Sequence, residues 1–350
     1  MKTPKLLLKR GERNRYGYFQ LLDHIFGRPF GFKITRNSRK RLYDGLKERF
    51  KDLPPGELIP VERVSGIDLD TFYKNYVNKG IPVVLEGAAS EWNCVKDWSL
   101  QYFKDLHGDD EIIAVEQDTM DLKHKTIRLG DIIDGIQKGM GKYYRFYPLL
   151  DRHPEHLTDF DVKWLRKFKK VYSPTESFQV FIGGDKSYTP LHNASLGNMF
   201  IQAVGKKHWR FYPNEMVAII DPDPVRNIYR HAPIRKDGQS FHAFEPDFEH
   251  PFHLYEKMNG FEVTLSPGDI LYNPPYYWHT VRNIGDSIGV GYRWLPIWDN
   301  LRKWPVHTFM DVTARKPNFL KTMKYLKQDV NLLHLAETGE LKQYLKDKQQ

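Results

Sequence analysis

Side chains able to do chemistry gather in two stretches of this 350-residue chain: TPLHNASLGNMFIQAVGKKHWRFYP at 189–213 and GDILYNPPYYWHTVRNIGDS at 268–287. A third run, FHAFEPDFEHPFH at 241–253, holds His242, Glu245, Asp247, Glu249, His250 and His253, all of metal-ligand type, but reads as a surface loop. His153 and His156 are spaced i, i+3 and would share a helix face, yet Pro154 between them favours a loop. Asp221-Pro222-Asp223-Pro224 is an acidic cluster whose two prolines make it a rigid surface loop, and Asp185 in GGDK is a turn residue. His208 is expected on the strand face opposite Lys207, and the aromatics Trp209, Tyr276, Tyr277 and Trp278 in the core. No Gly-rich phosphate loop, nucleophile elbow or Ser/His/Asp pattern is visible. The single cysteine, Cys94, excludes zinc-finger, iron–sulfur and thioredoxin-type chemistry and fits a reducing, cytoplasmic setting.

The elements that must carry these stretches are mainly strands. Residues 177–294 contain eight short strand patterns separated by turn signals: SFQVFIG, SYTPLHN, NMFIQAV, HWRFYP, FEVTL, DILYN, WHTVRN and SIGVGYRW. A long excursion, 214–260, separates the fourth from the fifth. Eight antiparallel strands with one long internal connection predict a double-stranded β-helix, the jelly roll of cupins. Upstream, Asp68 caps a helix, Ile81–Leu85 reads as a strand, 99–107 as a helix capped by Ser99, 111–118 as a strand and 129–138 as a helix. The expected organisation is therefore a basic helical extension at 1–55, a cupin-like domain at 56–298 with its jelly-roll core at 177–294, and a helical segment at 299–350. The fold class is mostly β, with a mixed α/β N-terminal portion and helical termini.

On the two stretches quoted first, the sequence resembles the JmjC-type branch of the iron(II)/2-oxoglutarate oxygenases, in particular its asparaginyl-hydroxylase-like members. The resemblance spans roughly 60–295. It implies a non-haem iron(II) held by two histidines and a carboxylate, with positions left open for 2-oxoglutarate and dioxygen. His192 matches the first histidine of the family's His-x-Asp pattern and His279 the second histidine, 87 residues later. Thr189 and Lys207 match the positions that hold the far carboxylate of 2-oxoglutarate, Asn198 a further polar position beside it, and Tyr144 an upstream tyrosine that reaches the co-substrate.

One position departs from the pattern. The triplet is His192-Asn193-Ala194, with alanine where the carboxylate is expected. Asn193 does not substitute, because alternation turns it to the other face of the strand. Three readings stay open. The chain is an oxygenase with two histidine ligands and water or another residue in the third place, such as one from 241–253. It is a radical halogenase, in which chloride takes the position vacated by the carboxylate. Or it is a non-catalytic binding or scaffold protein, since losing one of three ligands weakens metal binding.

Charge is unevenly distributed. The formal net charge is +9, but residues 1–50 carry 14 Lys/Arg against 4 Asp/Glu, a net of +10. Such a segment suits a polyanionic partner or a solvated helical surface. The first apolar run, Leu6–Leu8, is too short for a signal-peptide core, and no run approaches a membrane span. A non-secreted chain acting on a protein side chain or a small molecule, and forming a homodimer through its terminal helices, is the expectation.

Overall fold

The computed structural model describes residues 2–115, 124–140, 143–147, 149–169, 173, 175–222, 230–232, 244, 254–314 and 332–348. Two helices open the chain, α1 (Arg10–Phe26) and α2 (Arg28–Phe50), turning at Gly27 with φ +90°. The strands are β1 (Leu58–Pro60), β2 (Glu62–Val64), β3 (Val83–Leu85), β4 (Glu111–Val115), β5 (His124–Arg128), β6 (Tyr143–Tyr147), β7 (Glu176–Gly183), β8 (Tyr188–Asn193), β9 (Gly197–Tyr212), β10 (Arg230–His231), β11 (Gly260–Leu265), β12 (Ile270–Asn273) and β13 (Trp278–Trp294). Helices α3 (Leu100–His107) and α4 (Leu129–Gln137) lie between β3 and β6, and α5 (Ile297–Lys303) and α6 (Pro305–Val312) follow β13.

The eight expected strands become six. NMFIQAV and HWRFYP join into the 16-residue β9, and WHTVRN and SIGVGYRW into the 17-residue β13. The sequence read these as pairs because Gly205 and Gly285 interrupt the apolar alternation. Both have positive φ, +65° and +70°, and the β9–β13 register shifts between Ile284 and Ile288. Glycine is required at 205, where a Cβ would stand 2.0 Å from the carbonyl oxygen of Asp286. The strands bend there and pass from one sheet to the other. One sheet runs β6-β7-β13-β9-β12-β3-β2 and uses the second half of β13 and the first half of β9. The other runs β10-β8-β13-β9-β11-β1 and uses the remaining halves.

Three cores follow from this layering. Phe181, Phe200, Trp209, Phe211, Leu271 and Val281 fill the space between the sheets. The outer face of the first sheet (Val180, Ile201, Val290, Tyr292) packs under Phe103, Ile132 and Ile133 of α3 and α4 and under Leu332, Leu333 and Leu341 near the C-terminus. The outer face of the second sheet (Leu191, Tyr212, Trp278) packs under Tyr16, Phe19, Leu42, Leu46 and Phe50 of the N-terminal helices. The basic extension is thus a docked hairpin. Arg39 at its centre is buried and donates to Asp23 (2.7 Å) and Thr35 (2.7 Å).

Glu176, at the start of β7, is 1% exposed and accepts bonds from Arg166 (2.9 Å to each carboxylate oxygen), Lys169 and the Tyr292 hydroxyl (2.7 Å). Burial alone would raise its carboxyl, but the bonds from Arg166, Lys169 and Tyr292 outweigh burial and hold it below 4.5. Its stabilisation is therefore complete above that value and is lost as pH falls through the lower folded-state value. Glu176→Ala leaves two cations facing a buried hydroxyl. It is expected to cost about 3–5 kcal/mol in urea unfolding at pH 7, with a smaller difference from the parent at pH 3.

Candidate metal and co-substrate site

Strands β8, β9 and β13 set the site by register. His279 lies opposite Phe211 on β9 and His192 on β8, Val281 opposite Trp209 and Thr189, and Asn283 opposite Lys207. Residues facing each other across an antiparallel pair share a face, so all of these point between the sheets. Thr189 and His192 are three apart and would oppose each other on a regular strand. A bulge reconciles them, because the two residues from His279 to Val281 match three from His192 to Thr189.

The imidazoles of His192 and His279 meet with ring centroids 4.2 Å apart, inclined at 54°. Each has Nδ1 2.8 Å from the carbonyl two residues earlier, Pro190 for His192 and Tyr277 for His279. A carbonyl only accepts, so both Nδ1 atoms carry a proton, and the Asn273 amide 3.3 Å from His279 Nε2 finds an acceptor there. His279 stacks on Trp209 (5.7 Å, 24°). Burial pushes it down to about 4, opposed by the bond to Tyr277 and aided by the charge of Arg293, so it is neutral and ready to ligate at physiological pH.

Further along the same pair of strands, the fully buried Lys207 of β9 donates to Oδ1 of Asn283 on β13 (2.5 Å), and Asn283 in turn donates to Ser187 Oγ (2.8 Å) and to the Gly184 carbonyl (3.3 Å). Burial pushes the Lys207 ammonium down to about 7. Glycine at 289 lets the lysine lie here: a Cβ would stand 2.3 Å from Phe200 Cζ and 3.1 Å from Lys207 Cε. Thr189 is buried on the same face. Asn198 lies opposite Asn273 on β12 and Arg293 on β13. Among the described side chains, Asn198 Oδ1, Asn273 Oδ1 and Trp209 Nε1 are buried without a hydrogen-bond partner. Two facing imidazoles, a lysine in a dry pocket and unpaired polar atoms suit a divalent cation with an anionic polar ligand beside it.

Ala194 follows β8, its carbonyl accepting from the Tyr276 amide (2.7 Å). Asn193 faces away as expected and donates to Asn214 Oδ1 and the Tyr276 carbonyl (3.3 Å each). Among the described residues, His192 and His279 form no tight three-ligand group with another His, Cys, Asp or Glu. The reading of the sequence passed over His231. It sits on β10 opposite His192, on the same face, its ring 6.0 Å away and nearly parallel at 26°. Only a two-residue strand inside the long excursion brings it there, and no periodicity marks so short an element.

Tyr144 lies on β6 opposite Ile182, with its side chain outside the described residues, as is the run 241–253 apart from Phe244. Asp221 serves the fold, accepting from Tyr16 (2.8 Å) and Arg28 (3.1 Å) of the N-terminal hairpin. Asp185 accepts from the Gly285 amide (2.8 Å) and locks a turn. His208 meets Glu262 (3.3 Å). The Tyr276 hydroxyl donates to buried Asp311 (2.7 Å), and Trp278 packs under the hairpin. His153 and His156 are brought instead to His107, away from the two sheets.

Among known proteins, the chain is 24% identical over 282 residues to JmjC domain-containing protein F of Dictyostelium discoideum, covering 64% of this chain and 59% of that protein. It is 24% identical over 266 residues to lysine-specific demethylase 8 of Danio rerio, covering 73% and 63%. It is 22% identical over 260 residues to tRNA wybutosine-synthesizing protein 5 of Homo sapiens, covering 67% and 77%. The chain spans about six-tenths of the length of the first two relatives. The cupin-like domain family matches residues 69–300, a span that takes in both sheets' central strands, the histidine pair and the buried lysine. With more than half of its length so matched, the chain belongs to the cupin-like domain family, and JmjC proteins are among its relatives.

Proposed function

We propose that the chain is an iron(II)- and 2-oxoglutarate-dependent oxidoreductase of hydroxylase type with an atypical metal site. The observation that carries this reading is the facing pair His192 and His279, ring centroids 4.2 Å apart, each with Nδ1 donating to the carbonyl two residues earlier. In this reading His192 and His279 hold the metal, and His231, its ring 6.0 Å from that of His192, is a candidate for the third place. Lys207 and Thr189 seat the far carboxylate of the co-substrate, with Asn198 and Tyr144 beside it. Iron and 2-oxoglutarate, when bound, supply the oxidising chemistry. The protein's part is to hold two imidazoles face to face, to keep water from the lysine end and to return a full positive charge to Lys207 when an anion arrives. The names of the relatives point to lysine side chains and to a tRNA base. A protein side chain or a small molecule is the proposed substrate class here.

The basic hairpin is the proposed surface for a polyanionic partner, with Lys33, Arg36, Lys40, Arg41 and Lys47 of α2 all exposed. A homodimer remains the proposed assembly.

Three outcomes are expected. First, the chain binds one iron(II) and converts 2-oxoglutarate to succinate. His279→Ala abolishes both binding and turnover. Strict dependence on chloride would favour the halogenase reading, and no metal binding at micromolar concentration would favour the scaffold reading. Second, binding of 2-oxoglutarate takes up a proton above about pH 7, because the Lys207 amine is neutral there and the carboxylate requires the ammonium. Affinity is therefore flat below that value and falls by up to about tenfold per pH unit above it. Calorimetry in buffers of different ionisation heat measures the uptake, and Lys207→Met removes it. Third, reversing charge at Lys33, Arg36 and Lys40 weakens binding to heparin and flattens its salt dependence. Surface reversal is used because deleting the hairpin would uncover Leu191 and Trp278.

A further inference from the structure

A second group of ligand-type side chains lies outside the two sheets, where the end of α3 meets the 3₁₀ turn Pro154–Asp159. His107 Nε2 stands 2.8 Å from His156 Nε2. Ligand atoms of His107, His156 and Glu155 all lie within 4.8 Å of one another, the one such three-residue group among the described residues. His153 stacks flat on His107, centroids 3.6 Å apart at 22°, and its Nε2 is 2.8 Å from Asp110.

The surroundings orient this group as second partners orient metal ligands. The Trp98 indole donates to Asp159 Oδ2 (2.9 Å), and the same oxygen is 3.1 Å from His156 Nδ1. A carboxylate accepts, so His156 Nδ1 carries the proton and its Nε2 offers a lone pair toward His107. Carboxylate–histidine pairs of this kind fix tautomer and ring angle at metal sites. His156 is buried, His107 half-buried and Glu155 exposed. A cleft of about 280 Å³ lies beside this group, lined by His107, His153, Asp109 and Asp110 among others.

We propose that His107, His156 and Glu155 bind a divalent ion of the zinc class, with Asp159 holding His156 in place. Two imidazoles and one carboxylate are a borderline donor set suited to Zn(II), Co(II) or Ni(II) and poor for Ca(II) or Mg(II). Nitrogens on one tetrahedral ion stand about 3.3 Å apart, so the two rings need open by only about half an ångström to admit it. The ion would tie α3 to a turn 49 residues later in the chain and so stiffen the layer that covers the first sheet. Without an ion, a proton shared between the two Nε2 atoms completes the chain from Trp98 through Asp159 and His156.

The test uses the full chain carrying His192→Ala and His279→Ala, so that the pair between the sheets takes no part. Titration with Co(II) is expected to give one equivalent bound, with the visible absorption of a four-coordinate site, and saturation with Zn(II) is expected to raise the melting temperature. Adding His107→Gln should abolish the absorption, and adding Asp159→Asn instead should weaken binding 10–100-fold. Should the substituted chains misfold, diethyl pyrocarbonate labelling of the chain with intact His107 and His156 decides, since Zn(II) must protect both. The proposal fails if Co(II) gives no absorption at 100 µM. It also fails if the signal survives His107→Gln, or if Zn(II) leaves labelling of His107 and His156 unchanged.

Discussion

The pairing of β9 with β13 is the constraint on which the rest of the molecule depends. The ladder runs from Trp278 opposite Tyr212 to Trp294 opposite Gly197 and bends near Gly205 and Gly285. Every other element of the site is placed by its register to this ribbon. β8 adds His192 and Thr189 to one half, β7 packs on the other, and β11 and β12 flank β9 on the two sheets. His279 and Asn283, at the histidine end and the lysine end of the cleft, lie four residues apart on one strand, about 13 Å of extended backbone. Their separation follows from covalent geometry and needs no side-chain contact to maintain it.

Desolvation is the second organising effect. His279 and Lys207 are both pushed toward their neutral forms by burial, so the space between the sheets carries less charge than its residue types suggest. That state costs little while the pocket is dry, and a cation near His279 or an anion near Lys207 would change the balance there. Outside, Glu176 shows the opposite solution: a buried charge kept ionised by two cations and a hydroxyl. One is built for exchange, the other for permanence.

The strand content and the chemistry-bearing residues were legible because both sit in local patterns. Alternation marked the strands, and Ser99 and Asp68 capped the helices they were expected to cap; His192, His279, Thr189 and Lys207 stood out by residue type and position in the two stretches quoted first. Where reasoning along the chain fell short, the missing information was non-local. Gly205 and Gly285 look like turns until the partner strand is known to bend with them. The bulge that turns Thr189 and His192 to one side exists only in the pairing of β8 with β13. His231 arrives on a strand of two residues, and His107 stands 49 residues from His156. The docking of the basic hairpin was equally hidden, because its charge drew attention from Tyr16, Phe19 and Leu46 beneath it.

The shared ribbon has a mechanical consequence. Because β9 and β13 belong to both sheets, the walls of the cleft are hinged along one seam and cannot part without breaking the ladder that joins them. Cleft width along the seam is thereby inherited from the register of that ladder and two glycine torsions.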